Sequence, residues 1–226
     1  MFMIRLEHVS VNVRKKQILQ DISLEVGSGE IVGLVGYNGS GKTMLMKCIC
    51  GFHVLYEGDI FIKDKNIRDV PEFSNDIGLI IETPGFITYF SGVKNLKVLA
   101  DLNRKIGMAE IKKCMVSVGL DPDNKLAVRK YSLGMRQRLG IAQALMEDPA
   151  ILVLDEPMNG LDYDVTKKVR KALLAEKERG KAILITSHNP YDIEYLCDRV
   201  YQISRGCITE GADAGMDGMA GGQSKQ

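Results

Sequence analysis

The chain has 226 residues, 45% of them hydrophobic, enough to build a buried core for one large domain or two coupled subdomains. Lys and Arg total 30 against 29 Asp and Glu, and this net charge of +1 lacks the basic excess of a nucleic-acid wrapper. Nucleic acid is therefore not expected as a partner.

No apolar run approaches the ~20 residues that span a bilayer, and no basic-then-apolar leader is seen. The chain is expected to be cytoplasmic. Five cysteines, Cys48, Cys50, Cys114, Cys197 and Cys207, form neither a CxxC pair nor a Cys/His cluster. They are expected as reduced, mostly buried thiols.

Ile4 to Glu7 and Ile22 to Val26 read as strands, the second ending at the turn Gly27-Ser28-Gly29. Ile31 to Val35 is a short apolar run before a Gly-rich loop, and Lys42 to Cys50 reads as a helix. Ile60 to Ile62 and Ile77 to Ile81 are further strands. From Gly92 to Glu147 the period becomes helical three times over. The apolar faces are Val93, Leu96, Leu99 and Ala100, then Ile111, Met115 and Val118, then Met135, Leu139, Ala142 and Leu145.

Strand character returns at Ile151 to Leu154, and a helix from Tyr163 to Arg179 leads to the strand Ala182 to Thr186. Pro190 to Leu196 reads as a short helix, capped by Asn189 with the proline at its first position. Val200 to Ile203 and Cys207 to Thr209 suggest a hairpin. This order gives one domain over 1–211, an α/β core (1–82 and 149–211) interrupted by an all-helical insert (about 83–148). The Gly-rich polar stretch 212–226 is expected to be disordered.

Gly36-Tyr37-Asn38-Gly39-Ser40-Gly41-Lys42-Thr43 fits the spacing Gly, four residues, Gly-Lys-Thr, between a strand and a helix. The glycines let the backbone curl until its N–H groups point inward at phosphate oxygens, and the helix adds its positive end. Lys42 would reach the β- and γ-phosphates of ATP, and the Thr43 hydroxyl would ligate Mg²⁺. Ala150 to Pro157 sets two carboxylates at the end of a buried strand. Asp155 would hold Mg²⁺ through water, and Glu156 would serve as general base for the attacking water. MgATP binding and hydrolysis follow.

Ser132 to Arg138 begins a helix, where Ser132 and the N–H groups around Gly134 offer a second phosphate site. Combined with Gly36–Thr43 and Asp155–Glu156, this segment resembles the signature sequence of ATP-binding cassette (ABC) ATPases, whose usual form is LSGGQ. The resemblance runs through YSLGMRQRLGIAQAL, LDEP and Asn159-Gly160-Leu161-Asp162, and covers the chain to about Gly211. It implies a P-loop NTPase core with a mixed sheet, a small antiparallel β subdomain and an inserted all-helical subdomain. It also implies a head-to-tail homodimer or pseudo-dimer, each ATP held between the Walker motifs of one subunit and Ser132 and Gly134 of the other. Asn159 to Asp162 match the D-loop that links the two sites, with Asp162 counted among the ATP contacts. His188, in Thr186-Ser187-His188, matches the switch histidine that touches the γ-phosphate.

Two positions depart from the family pattern. Glu82 stands where a Gln is usual; its carboxylate would either ligate Mg²⁺ or act as an ordinary loop acid. Val13 occupies the place of an aromatic that often stacks on adenine, so stacking from this segment is not expected. IIETP and YSLGMRQRLGIA are similar to bacitracin- and lantibiotic-type export and self-immunity ATPases. Phe86, Tyr89 and Phe90 follow Glu82, and they either plug the core or line a groove for a membrane partner.

The resemblance thus implies an ABC transporter ATPase subunit on the inner face of the cell membrane, with membrane-spanning permease subunits on separate chains. Export of peptide antibiotics or other hydrophobic compounds is the finer expectation. A soluble, non-transport ABC ATPase, such as an iron–sulfur assembly scaffold component, carries the same motifs. A P-loop kinase would leave Ser132–Arg138 and His188 without a role.

Overall fold

The computed structural model describes residues 1–70, 76–82 and 85–211. The stretch 212–226, expected to be disordered, lies outside the described residues, as does the expected start of the insert at 83.

Strands β1 (Phe2–Val13), β2 (Lys16–Gly27), β4 (Glu57–Ile62) and β5 (Lys65–Asn66) form an antiparallel sheet in the order β2-β1-β4-β5. The first two run twelve residues each, well beyond the short strands expected. His8 and Asp21 explain the difference, since both adopt left-handed backbone conformations, φ 54° and 51°. Each interrupts the alternation where the ladder register shifts, and Val9 and Val11 then return to the buried face. The turn between these strands is Arg14-Lys15, with φ 47° and 66°, a two-residue hairpin turn without the usual Asn-Gly.

The second sheet holds β3 (Ile31–Val35), β6 (Ile77–Ile80), β7 (Ile151–Leu154), β8 (Ala182–Ile185), β9 (Arg199–Ser204) and β10 (Cys207–Glu210). Their order is β10-β9-β3-β8-β7-β6, parallel except for the β9–β10 hairpin. The sheet is therefore mixed. Strands β7 and β8 are buried along their whole length, which is why they read as unbroken apolar runs. Ile151, Val153, Ala182 and Leu184 join the core shared with the antiparallel sheet and α1 (Lys42–Ile49). Leu152, Leu154, Ile183 and Ile185 face the opposite core.

Helices α2 (Gly92–Asn103), α3 (Met108–Ser117) and α4 (Leu133–Leu145) fall between β6 and β7, as the change of period foretold. Helix α4 lies directly on the sheet, since a Cβ added at Gly78 would sit 2.0 Å from the Ala144 carbonyl oxygen. Buried Asn95 of α2 bonds both backbone groups of Ile87, at 2.7 and 3.1 Å, and so fixes the segment leading into the insert. The remaining helices are α5 (Tyr163–Glu178) and α6 (Pro190–Leu196), the latter capped by Asn189 as expected. Among the described residues, no helix is long and apolar enough to cross a membrane.

Cys48 and Cys50 are both buried, the first on α1 and the second at its C-terminal cap. Burial pushes their thiols up to about 12, and does the same to Cys197; Cys114 rises to about 11. A buried neutral thiol is a poor nucleophile. Only Cys207 is exposed. A thiol reagent such as DTNB, applied to the native protein near neutral pH, is expected to modify one cysteine quickly. Cys207→Ser should remove that phase, and denaturation should release all five thiols.

Candidate active site

β3 delivers the chain into the loop Gly36 to Thr43, and α1 carries it away. Gly41 stands at the helix N-terminus with φ 117°, and a Cβ there would lie 2.6 Å from the Leu19 side chain. A Cβ at Gly36 would lie 2.2 Å from the Ile203 carbonyl oxygen. Glycine is therefore obligatory at both positions. No side chain caps α1 and no acid occupies its first turn, so the positive helix end stays open to an anion. Lys42 folds back over the loop, donating from Nζ to the Gly36 and Tyr37 carbonyls at 2.7 and 3.0 Å. Ser40 is buried, whereas Tyr37 is exposed.

A cavity of about 320 Å³ opens here, lined by Asn38, Gly39, Gly41, Lys42, Thr43, Asp155 and Glu156, with Ile18 and Met44 as its apolar part. Phosphate loop and carboxylate pair thus meet, as the motifs implied. Asp155 accepts from the Thr43 hydroxyl at 2.9 Å through one oxygen and from the Thr186 hydroxyl at 2.7 Å through the other. A hydroxyl and a carboxylate are hard oxygen donors suited to Mg²⁺, which keeps its other positions for phosphate oxygens and water. Among the described residues no three His, Cys, Asp or Glu side chains gather into a metal site. The donor set fits a nucleotide-borne Mg²⁺ and not a metal caged by protein alone.

Glu156 adopts a left-handed backbone conformation, φ 50°. Its N–H donates to the Thr186 hydroxyl oxygen at 2.8 Å, and Gln137 of α4 donates to the Glu156 and Pro157 carbonyls at 3.1 and 3.0 Å. A strained conformation of this kind costs of order 1–3 kcal/mol and persists only where neighbours over-determine it. The Glu156 carboxylate meets His188 Nδ1 at 2.8 Å, with the His188 ring largely exposed. The residues expected as base and switch histidine, Glu156 and His188, are therefore adjacent.

The other expected residues lie elsewhere. Ser132 caps α4, its hydroxyl oxygen accepting from Met135 N at 3.1 Å. Asp162 caps α5, its carboxylate accepting from Val165 N at 2.9 Å. A Cβ on Gly134 would come within 3.0 Å of the Gly160 carbonyl, so signature segment and D-loop touch within one chain. None of Ser132, Gly134 and Asp162 lines the cavity. Glu82 is exposed with φ 57°, and its carboxylate pairs with Lys47 Nζ of α1 at 2.7 Å outside the cavity lining. Val13 packs against the core, while Ile18, on the other strand of the hairpin, supplies part of the apolar wall.

The family described as ABC transporter matches residues 19–159. The chain belongs to that family. It is 40% identical over 204 residues to the ABC transporter ATP-binding protein YybJ of Bacillus subtilis, covering 90% of this chain and 94% of that protein. It is 35% identical over 211 residues, 92% of this chain and 68% of the other, to the bacitracin transport ATP-binding protein BcrA of Enterococcus faecalis. The lantibiotic transport ATP-binding protein SrtF of Streptococcus pyogenes is 33% identical over 91% of this chain and 89% of its own. An ATP-binding subunit of an ABC transporter superposes with a TM-score of 0.84 at 25% identity, over 92% of this cassette and 89% of that chain. A dimeric ATP-binding cassette in a post-hydrolysis state with ADP and Pi shares the fold, with a TM-score of 0.85 at 20% identity over 95% of this chain and 100% of that one. The cassette is thus an ATP-binding and ATP-hydrolysing subunit of an ABC transporter.

Thr186 and Gln137 were not singled out from the sequence. Thr186 was legible in principle: once Leu154 pairs with Ile185, the next residues, Asp155 and Thr186, must be neighbours. Thr186→Val would leave the Glu156 N–H without its acceptor, a penalty of about 1–3 kcal/mol. The variant is expected to lower the melting temperature by a few degrees and turnover by about tenfold or more. Thr186→Ser should retain most activity, as phosphate release assays would show.

Proposed function

We propose that this cassette powers export of peptide antibiotics or similar hydrophobic compounds through membrane-spanning subunits on separate chains. The observation that carries the catalytic part is Glu156, held in a strained conformation at the rim of the phosphate cavity with His188 against its carboxylate. Lys42 and the loop N–H groups bind the β- and γ-phosphates. Thr43 and Asp155 would hold Mg²⁺, which would neutralise phosphate charge there. Glu156 takes a proton from water as the water oxygen bonds to the γ-phosphorus, and ADP leaves. His188 supports the γ-phosphate and steadies the base.

The remaining motif residues fit a head-to-tail dimer. Ser132 and the N–H groups near Gly134 sit at a helix N-terminus, suited to the partner's γ-phosphate. Asp162 contributes through the loop whose helix it caps. Closure on ATP and reopening after hydrolysis then drive the membrane subunits. The export reading is supported by relatives named for bacitracin and lantibiotic transport and by Glu82 in place of Gln. The cassette would lie on the inner face of the cell membrane.

Glu156→Gln keeps the cradle and removes the base. It is expected to cut turnover by roughly 10²–10⁴-fold while ATP still binds. Size-exclusion chromatography with MgATP should then show a trapped dimer; wild-type turnover would remove Glu156 from this role. For docking, the aromatic segment divides: Phe86 is partly buried against the core, whereas Tyr89 is 71% exposed. Tyr89→Ala is expected to leave melting temperature and basal hydrolysis intact and to weaken copurification with the membrane subunit. Undiminished copurification would exclude Tyr89 from the contact.

A further inference from the structure

Behind His188 lies a buried polar network that no step above uses. Arg170 of α5 and Asp192 of α6 form an ion pair whose side chains are only 8% and 4% exposed. Arg170 Nε donates to Asp192 Oδ1 at 2.7 Å, and the guanidinium lies 4.6 Å from the Tyr191 ring centre. The other Asp192 oxygen accepts the Ser187 hydroxyl proton at 2.9 Å. With its proton so committed, Ser187 Oγ offers a lone pair along the chain, and the Asn189 N–H donates to it at 3.1 Å. Asn189 in turn caps α6 through Tyr191 N at 3.1 Å. His188 is the residue between these two fixed neighbours. Its ring is 72% exposed, yet it stands 2.8 Å from the Glu156 carboxylate.

Two buried charges are a costly way to join helices. Apolar side chains of similar volume often serve stability as well or better. What apolar residues could not supply is the acceptor that orients the Ser187 hydroxyl. Without it, the turn 187–189 loses the bond that sets its shape, and a largely exposed imidazole is free to change rotamer. Asp162 caps the start of α5, so the helix that carries Arg170 near its middle follows directly from the D-loop.

We propose that Arg170, Asp192 and Ser187 form a positioning clamp that holds His188 against Glu156. They are positioning residues for hydrolysis and act through His188 without touching nucleotide. The proposal rests on the reading of Glu156 and His188 given above.

The test is a double-mutant cycle on the full chain. Ser187→Ala leaves the ion pair in place and removes only the hydroxyl. It is expected to lower kcat about tenfold, the effect of roughly one hydrogen bond, with KM and the Kd for ATP unchanged. In a His188→Ala background the same substitution should cause no further fall. Arg170→Met combined with Asp192→Leu should reproduce the loss of kcat while the protein stays folded. Wild-type turnover in Ser187→Ala, or a loss that multiplies with that of His188→Ala, overturns the clamp. If His188→Ala itself turns over at the wild-type rate, the role of His188 falls and the clamp falls with it. If His188→Ala is impaired and Ser187→Ala is not, the clamp alone is lost.

Discussion

Strand β7 pairs in parallel with β6 on one side and β8 on the other, Leu154 standing opposite both Ile80 and Ile185. Parallel strands end at a common edge, because each connection must return the chain before the next strand begins. Strand β8 also pairs with β3, Ile185 opposite Gly33, so the phosphate loop leaves the same edge. Asp155 and Thr186 therefore emerge side by side, and Gly36 follows β3 from the same end of the sheet. Crevices at such strand ends are where open α/β sheets bind their ligands. The carboxylates, the hydroxyl between them and the cradle need no long loops to meet.

Gathering acids near a polyanion requires that each be managed, and the cassette gives every one a separate partner. Asp155 takes two threonine hydroxyls, Glu156 takes His188, and Glu82 takes Lys47. Lys42 rests on backbone carbonyls, whose neutral dipoles release it to a phosphate at less cost than a carboxylate would. The left-handed conformation of Glu156 breaks the strand geometry at the residue whose carboxylate meets His188.

The sequence made the phosphate loop, the carboxylate pair and the buried strands β3, β7 and β8 legible, because their signals are local. An unbroken apolar run, a Gly-Lys-Thr spacing and an Asn-Pro cap each lie within a few residues. The long strands β1 and β2 were concealed by bulges at His8 and Asp21, which break the alternation a reader follows. Thr186 and Gln137 stayed hidden because their roles depend on strand register and on how α4 docks. Arg170 looks like one more solvent-facing base of an amphipathic helix, and only the packing of α6 turns it inward. Asp162 shows a different ambiguity: a helix cap and a D-loop aspartate call for the same side chain at the same place.

Helix α4 joins these levels, because it is fastened to the core at three points. Its backbone rests on Gly78 of β6, Gln137 holds the carbonyls of Glu156 and Pro157, and Leu133 with Gly134 packs on Gly160. Hydrogen bonds of about 3 Å weaken steeply when stretched or bent. The helical insert therefore cannot rotate about α4 without either breaking the Gln137 bonds or dragging the peptide that follows Glu156. Close-packed interfaces of this kind shift between discrete arrangements instead of deforming smoothly. The backbone at Glu156, the residue proposed as base, and the pose of the helical insert are thus coupled through α4, which is what a subunit that converts hydrolysis into movement requires.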